Sequence, residues 1–398
     1  MFLTHGIGLL LASSRALAAL SVDTQTQQQN AAQSLVEGPS GLASYYDHGS
    51  NGVFSTLDSW QWWVSAKLWN TFLRYQDITG DKSYNNTIQA ALVDQAGKGN
   101  DFMGQYTKGN DDQMWWGIAA ITAAEIGLPS PPSSPSWLQM AINVYDQVND
   151  RWDGATCGGG LGWQISPDAD GYHYKNAITN GLFFQLSARL GAVTGDDQYT
   201  SRAVTAWNWS QSVGLVEKGT YKVYDGTDAK KGCIDLDHDQ WSYNVGVYLY
   251  GAAVMQSHTG DNDTWAPHVN GLIGAAQAGF SNNGVLVETM CEPKGTCNAD
   301  QVAFKACLAR WLAATASLVP STRGQINPLL HSSAHAAVSS CNAGEDNNKC
   351  GTSWTMHGSD GETGVSQQMA AVEVVLGVLS DGQVPLNGHT RHSRRSGV

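Results

Sequence analysis

The sequence predicts an all-α fold built as a ring of helical hairpins, and three observations support this prediction. The tripeptide Thr-Gly-Asp recurs at Thr79, Thr194 and Thr259, each time between two runs of apolar residues with helical spacing. Few segments alternate β-branched and polar residues, and neither G-x-G-x-x-G nor G-x-S-x-G occurs. The 398 residues exceed the usual size of a single core, and a repetitive ring lets such a length fold as one domain.

Each Thr-Gly-Asp is interpreted as the turn of one helical hairpin. Glycine can take the left-handed conformation that ends one helix, and the following Asp or its neighbour can cap the next. A fainter copy, AAEIGLPSPP, uses proline as the stop. We therefore predict four or more hairpins within residues 19–380, with the loops at one end lining a central cleft. The periodic apolar positions include Trp62, Ala66, Trp69, Leu73, Tyr84, Ile88, Ala91, Trp137, Met140, Val144, Val148, Val247, Tyr250, Val254, Trp265, Val269 and Leu272.

Composition restricts the class of ligand. The 35 acidic and 22 basic residues leave a net charge of −13, which repels the phosphate backbone of nucleic acids. The chain is poor in charged residues but carries 15 Trp, 14 Tyr and 44 Gly. Aromatic faces stack on the apolar faces of sugars, so a carbohydrate is the ligand that this composition favours.

Both ends of the chain are predicted to lie outside the folded domain. Residues 1–18 form an apolar stretch with an Ala-Leu-Ala end, as in a signal peptide, although this stretch lacks Lys and is interrupted by Arg15. Residues 381–398 are predicted to be a disordered polar, basic tail without the hydrophobic end of a lipid-anchor signal. No other apolar stretch is long enough to cross a membrane, so we expect secretion to the extracellular space or cell wall. Sequons for N-glycosylation occur at Asn85, Asn208 and Asn262.

The seven cysteines of an exported chain predict disulfides with one cysteine left over. Two pairs bracket short polar loops, CEPKGTC and CNAGEDNNKC, where a local bond is plausible. The third pair then follows by elimination, and Cys307 in an apolar run is left as a buried thiol. The predicted bonds are Cys291–Cys297, Cys341–Cys350 and Cys157–Cys233. No Cys or His spacing typical of a zinc site is present, and DLDHDQ lacks the Gly and Glu of a calcium loop, so we predict no metal and no cofactor.

Two adjacent carboxylates, Asp111 and Asp112, precede Trp115 and Trp116 at a predicted helix start. Cleavage of a glycosidic bond needs one carboxyl group to protonate the leaving oxygen and a second to attack or stabilise the sugar carbon. The alternative is that these residues only cap a helix and complement its dipole. The two adjacent carboxylates alone do not distinguish the catalytic from the capping interpretation, so the rest of the sequence is needed.

Ordered sequence blocks across nearly the whole mature chain resemble the fungal branch of the glycoside hydrolase family 76 α-1,6-mannanases, which includes cell-wall mannosidase-like transglycosidases. The resemblance implies an (α/α)6 barrel and a retaining mechanism, with Asp111 as nucleophile and Asp112 as general acid/base. Two positions depart from the family pattern, Val64 where an acid is usual and Gly162 where an Arg is usual, and they put a flanking subsite in doubt. The blocks are WQWW at 60–63, GNDDQMWWGIAAITAAE, RWDGATCGGGLGWQI, GYHYKNAITNGLFFQLSARL, VYDG, QWSYNVG, CEPKGTCNADQVAFKACLARW and TGVSQQMAAVEV.

The resemblance also places several polar and aromatic residues at the cleft. The GGGLGW stretch is interpreted as a loop that approaches the glycan closely, because it lacks the sequel of a phosphate loop. For Trp163 the alternative is a buried core position, and for Tyr243 and Asn244 it is a hydrogen-bonded helix cap. The predicted substrate-binding residues are Trp116, Trp163, Gln164, Asn176, Asn180, Asp225, Gln240, Trp241, Tyr243 and Asn244.

These observations predict a secreted, monomeric retaining glycosidase that cleaves internal α-1,6-mannosidic bonds of mannan or wall mannoproteins. One alternative is a transglycosidase that links mannan-bearing glycoproteins to wall glucan. Another is a catalytically silent protein that only binds wall glycan in the same cleft. Both enzymatic readings use the same carboxylates and differ in whether water or a sugar hydroxyl resolves the covalent intermediate.

Overall fold

A computed structural model describes residues 20–58, 61–344, 346–356 and 358–381. The predicted signal peptide and the tail beyond Asp381 lie outside these residues. The described part of the chain contains twelve α-helices, which confirms the all-α class. They are α1 Gln25–Glu37, α2 Trp62–Thr79, α3 Asn85–Gln95, α4 Asn110–Glu125, α5 Trp137–Asp150, α6 Ala177–Thr194, α7 Asp197–Ser212, α8 Ser242–Thr259, α9 Asn262–Phe280, α10 Phe304–Leu318, α11 Arg323–Ser340 and α12 Val365–Leu379.

Six helices form the inner wall of a closed barrel. The even-numbered helices α2 to α12 each pack against the next, and α12 packs against α2 to close the ring. Their residues are buried on nearly every face, and α4 buries every position from Met114 to Ala123, as expected of a helix surrounded by protein. The outer helices α3, α5, α7, α9 and α11 pack on the inner helices that precede them, and α1 packs on α12. The architecture is therefore the predicted (α/α)6 barrel.

The outer helices are amphipathic, in contrast to the inner ones. In α5, Met140, Val144 and Val148 follow one another at helical spacing and are buried against the inner wall, whereas Asp146 and Gln147 are exposed. This one-sided pattern is typical of a helix with one face to the core and one to water.

The Thr-Gly-Asp turns are built alike, as the sequence predicts. Gly80, Gly195 and Gly260 end α2, α6 and α8 with φ of 77°, 71° and 68°, a left-handed conformation that costs glycine little. In all three copies the Thr hydroxyl donates to the carbonyl four residues earlier and accepts the N–H of the Asp at 3.2 Å. Asp196 and Asp261 then cap α7 and α9. Each turn therefore directs the chain from the inner to the outer ring.

Five short strands occur in the described residues, and three of them form an antiparallel sheet beside the cavity described below. In this sheet Asn176 pairs with Gly226, and Gly226 pairs with Asp237. The first strand runs directly into α6, so the sheet positions the start of that inner helix. The strands are β1 Tyr174–Asn176, β2 Gly226–Asp228 and β3 Leu236–Asp237 in the sheet, and β4 Ser281–Asn282 and β5 Val285–Leu286 in a separate hairpin.

The cysteines follow the predicted scheme. The bonds Cys157–Cys233, Cys291–Cys297 and Cys341–Cys350 are all formed, and Cys307 is a buried free thiol.

The asparagines of the three N-glycosylation sequons differ in exposure. The side chains of Asn208 and Asn262 are exposed, while Asn85 is half-buried.

Among the described helices none is by itself long and apolar enough to cross a membrane. The segments Gln301–Leu318 and Pro320–Ser340 meet this criterion of length and hydropathy only when they are taken together, and the chain bends by 118° between them.

Candidate active site

The two adjacent carboxylates lie in the first turn of the inner helix α4. Oδ2 of Asp112 accepts the backbone N–H of Gly109 at 2.8 Å and that of Lys108 at 3.3 Å. Oδ1 of Asp111 accepts the N–H of Asp112 at 3.0 Å. Asp112 therefore does cap the helix, as the alternative interpretation proposed, but both carboxyl groups also line a large cavity. Capping and chemistry are compatible, because capping uses only one oxygen of Asp112.

The backbone before α4 is clamped to the segment that carries Trp163. The N–H of Asn110 donates to the Trp163 carbonyl at 2.8 Å, and its Nδ2 donates to the Gly162 carbonyl at 2.9 Å. Nε of Arg151 donates to Oδ1 of Asn110 at 2.6 Å. These bonds join the GNDD and LGWQI blocks, which are far apart in sequence, into one rigid wall of the site.

Gly109 leaves the space that the carboxylates occupy. A Cβ at this position would lie 2.1 Å from Oδ1 of Asp111 and 3.3 Å from Oδ2 of Asp112. No ordinary contact is that short, so any larger residue here displaces the Asp111 carboxylate.

Burial raises the pKa of both carboxyl groups. The pKa of Asp112 is raised to about 6, because desolvation outweighs the backbone N–H groups that stabilise its anion. The pKa of Asp111 is raised well above its ordinary value, first by burial and then by the charge of Asp112. Burial and the mutual charge of the pair favour a state with one proton and one negative charge, in which one carboxyl group can act as acid and the other as nucleophile.

The resemblance implies that Asp111 is the ionised nucleophile and Asp112 the protonated acid/base. The order of roles stays a prediction.

The cavity has a volume of about 940 Å³ and lies where the N-termini of five inner helices meet. Each of α2, α4, α6, α8 and α10 contributes residues from its first turn or from its N-cap. A cavity of this volume accommodates a small oligosaccharide.

Six of the ten predicted substrate-binding residues line the cavity. Among them, Trp163 is 38% exposed, so the alternative of a buried core tryptophan does not hold. The six are Trp163, Gln164, Asn176, Asp225, Trp241 and Tyr243.

Trp116 does not line the cavity, in contrast to the prediction. Its ring is fully buried in the core, stacked on Trp62 and Phe102 at centroid distances of 5.1 and 5.6 Å. Trp115 lines the cavity instead. Trp115 follows Asp111 by four residues and Asp112 by three, so helical spacing places it on the same side of α4 as both carboxylates.

Three predicted polar residues do not line the cavity, and two of them make hydrogen bonds that support it. Asn180 is fully buried, and its amide accepts from the N–H of Leu161 at 2.9 Å and donates to the Leu161 carbonyl at 3.0 Å. Asn244 is also buried and donates to Oδ1 of Asp225 at 3.2 Å, which agrees with its alternative interpretation as a hydrogen-bonded residue at a helix start. Gln240 is half-buried beside the cavity-lining Trp241.

The glycine loop has a different role from the one predicted. A Cβ at Gly160 would lie 2.2 Å from the ring of Trp209, and one at Gly159 would lie 2.8 Å from the ring of Trp152. The carbonyl of Gly159 accepts from Nζ of the buried Lys175 at 2.6 Å. These glycines permit close packing within the protein, and only the end of the block reaches the cavity.

Several residues of the cavity wall were not predicted from the sequence. Asp300 is a further cavity carboxyl group, and burial raises its pKa to about 6. Tyr174 donates to Oδ2 of Asp225 at 2.8 Å. The missed residues are Trp63, Gln105, Tyr106, Lys108, Trp115, Asp170, Tyr174, Asn298, Asp300, Gln301 and Phe304.

The two departures from the family pattern are both accommodated by packing. Val64 is fully buried in α2. A Cβ at Gly162 would lie 2.5 Å from the carbonyl oxygen of Tyr172, so the backbone of this chain leaves no room for a side chain there.

An all-helical barrel with paired carboxylates in an aromatic-lined cavity defines the class of this protein as a glycoside hydrolase. A model of glycosyl hydrolase family 76 matches residues 29–388. The chain therefore belongs to glycosyl hydrolase family 76.

Curated relatives agree with this assignment. The chain is 39% identical over 387 residues to mannan endo-1,6-α-mannosidase DCW1 of Candida glabrata, covering 95% of this chain and 85% of the relative. It is 34% identical over 375 residues to mannan endo-1,6-α-mannosidase DFG5 of Saccharomyces cerevisiae, covering 92% and 81%.

Solved structures share the fold. Dfg5 from Chaetomium thermophilum, in complex with glucosamine, superposes with a TM-score of 0.86 at 32% identity, covering 91% of this chain and 92% of that one. An inactive variant of the α-1,6-mannanase of Salegentibacter sp. HEL1_6, in complex with α-1,6-mannotriose, superposes with a TM-score of 0.71 at 19% identity, covering 89% and 99%.

Proposed function

We propose that this enzyme cleaves internal α-1,6-mannosidic bonds of mannan or mannan-bearing wall glycoproteins with retention of configuration. The observation that carries the proposal is the adjacent pair Asp111 and Asp112. Each carboxyl group has one oxygen held by a backbone N–H, and its other oxygen has no hydrogen-bond partner among the described residues. The names of the relatives support α-1,6-mannan as the substrate.

The proposed reaction uses the two carboxyl groups in two steps. In the first, Asp111 attacks the anomeric carbon while the glycosidic C–O bond breaks and Asp112 gives its proton to the leaving oxygen. In the second, Asp112 takes a proton from water or a sugar hydroxyl, whose oxygen attacks the anomeric carbon and releases Asp111.

Aromatic and amide groups around the pair suit a chain of sugars. Trp241 and Tyr243 line the cavity and both pack on Phe304, and the Tyr243 ring stacks on it at a centroid distance of 3.8 Å. Rings fixed in this way can stack on sugar faces without first being ordered, which lowers the entropic cost of binding. Gln164 and Asn176 supply amide groups for hydroxyls.

Transfer to a sugar acceptor, for example wall glucan, is the second candidate function. The observation that favours it is the exposure of Tyr106 and Trp163, 36% and 38%, at the open side of the cavity. Two exposed rings beside a catalytic pair can hold an acceptor chain by stacking. We further propose that the protein acts as a secreted monomer at the cell wall, in keeping with its three disulfides.

The test is incubation of the purified protein with linear α-1,6-mannan oligosaccharides, with and without a glucan oligosaccharide, followed by mass analysis of the products. We expect cleavage or transfer, lost by at least about a thousandfold in Asp111→Asn and in Asp112→Asn. Asp94→Asn, an exposed change on α3 with the same change in charge, serves as the matched control. Glycan binding without turnover, unchanged in both variants, would make the protein a silent wall-binding member of the family.

The same variants decide the order of roles. Azide can replace a missing acid/base by attacking the covalent intermediate, but it cannot rebuild a missing nucleophile in the same way. With a substrate that has a good leaving group, we expect azide to give the retained azide product in Asp112→Ala only; any azide product of Asp111→Ala should be inverted. Rescue of Asp111→Ala with formation of the retained azide product would reverse the assignment.

A further inference from the structure

The segment before α10 is held against the start of α2 by three side chains. Nε2 of Gln61 donates to the carbonyl of Ala299 at 3.1 Å, and Nε1 of Trp63 donates to Oδ1 of Asp300 at 3.0 Å. Nζ of Lys67 donates to the carbonyl of Ala303 at 2.7 Å. These bonds join positions more than 230 residues apart in sequence, so they fix the segment as part of the barrel wall.

Asp300 faces the same cavity as the catalytic pair. Its Oδ1 is occupied by Trp63, whereas Oδ2 has no hydrogen-bond partner among the residues that the structure describes. The side chain does not cap the helical turn that follows it. Asp112 caps a helix, but Asp300 has no such structural role.

Lys67 lies behind the aromatic wall of the cavity. It is 2% exposed, and its Nζ is 4.9 Å from the ring centroid of Trp63 and 5.5 Å from that of Trp115. Both rings line the cavity, and an ammonium group at this distance from an indole is attracted to it. Lys67 thus contacts the Trp63 ring that donates to Asp300 and also the backbone that follows Asp300.

We propose that Asp300 is a further functional carboxylate, which accepts hydrogen bonds from hydroxyl groups of the glycan in the cleft, and that Lys67 is the residue that positions it. This proposal rests on the proposed function, since it takes a glycan as the ligand. A carboxylate with one fixed and one free oxygen is well suited to sugar hydroxyls, because charge-assisted hydrogen bonds are shorter and stronger than neutral ones.

The charges around the two residues support this assignment. Burial raises the pKa of Asp300, whereas the hydrogen bond from the Trp63 N–H and the charge of Lys67 lower it by stabilising the anion. Burial lowers the pKa of Lys67; Cys307 of α10 and Glu373 of α12 oppose this shift, and the charge of Arg310 of α10 adds to it. Asp300 in turn raises the pKa of Asp111 and Asp112, so its ionisation also bears on the proton shared by the pair.

Binding tests the role of Asp300. Calorimetry with α-1,6-mannotriose compares Asp111→Asn with the double variant Asp111→Asn/Asp300→Asn, and Asp111→Asn/Asp94→Asn is the matched control. Asparagine keeps an oxygen for the Trp63 N–H but loses the charge, so we expect affinity to fall about tenfold to a hundredfold in the first double variant only. Equal affinity in all three proteins would overturn the role of Asp300. Failure of Asp111→Asn itself to bind, together with an inactive wild type, would instead overturn the proposed function.

The pH profile tests the role of Lys67. In Lys67→Met the cation that lowers the pKa of Asp300 is gone, so this pKa rises and the acid limb of the kcat/KM profile moves to higher pH. We expect kcat/KM to fall about tenfold near pH 7 and further near pH 5, with Lys67→Arg closer to wild type. Lys98→Met, at an exposed lysine, is the control. A parallel loss at all pH values, or an unchanged profile in folded protein, would overturn the positioning role.

Discussion

Replacing Gly109 by Ala is a small change that reaches the proposed catalytic pair directly. Gly109 has φ −98° and ψ 156°, a conformation that alanine adopts without strain. Loss of the glycine at this N-cap costs the fold roughly 0.5 to 1 kcal/mol, because alanine is a poorer N-cap residue than glycine. The added Cβ instead clashes with the carboxylate of Asp111.

The structure sets the size of this effect. Ordinary contacts of a Cβ begin at 3.4 Å, and the added atom would lie 2.1 Å from Oδ1 of Asp111. The carboxylate must therefore move by 3.4 − 2.1 = 1.3 Å, or its backbone must shift by a similar distance. A misplacement of about 1 Å costs on the order of a hundredfold in rate, about 2.7 kcal/mol in the activation free energy. We expect kcat of Gly109→Ala to fall by about a hundredfold or more.

Initial rates on α-1,6-mannan oligosaccharides, measured with thermal unfolding of the same samples, test this prediction. Gly104→Ala is the matched control, because it lies in the same loop and its Cβ would meet no atom within 4 Å. Both variants should unfold within a few degrees of the wild type, and only Gly109→Ala should lose activity. A fully active Gly109→Ala enzyme, or a loss that merely follows unfolding, would refute the reasoning.

Three further predictions concern stability. Asn180→Ala should lower the free energy of unfolding by about 2 to 3 kcal/mol in urea titrations, because it leaves buried backbone groups of the glycine loop unpaired, and a change below about 0.5 kcal/mol would contradict this. Replacing Cys157 and Cys233 by Ser should cost about 4 kcal/mol in the same assay, because their bond spans 76 residues, and unchanged stability would show that the open chain stays ordered there. Asp112→Asn should stabilise the protein near pH 7 by up to about 3 kcal/mol, because a pKa raised from 3.8 to about 6 on folding penalises the ionised form once the pH exceeds both values. That gain should shrink as the pH falls towards 4, and a gain independent of pH would exclude this origin.

The features that sequence predicted correctly depend on local signals. The hairpin turns follow from Thr-Gly-Asp, whose hydrogen bonds lie within a few residues of chain, and two of the disulfides close short polar loops. Asp111 and Asp112 stood out because two carboxylates and two indoles are adjacent in the chain. Local chemistry of this kind can be read without knowing the fold.

The errors arose on the inner helices, where the hydrophobic pattern does not indicate which side faces the cavity. A helix that is apolar all round has no pattern to orient it, so Trp115 and Trp116 could not be distinguished by hydrophobicity. Asn180 and Asn244 are polar residues on such helices, and they bond to the glycine loop and to the cavity-lining Asp225, respectively. Asp300 reaches the site through a partner 237 residues away, a contact that no local pattern predicts.

The convergence of five inner-helix N-termini on one cavity has an electrostatic consequence for the evolution of this barrel. Each helix start carries a partial positive charge of roughly half a unit, which favours bound anions. The transition state of glycoside cleavage is cationic at the sugar, so the bare scaffold repels the species that it has to stabilise. The aspartates of the cavity reverse the sign of that field. A descendant that lost them would present a positively charged pocket suited to sulfated or phosphorylated glycans, with no change of fold.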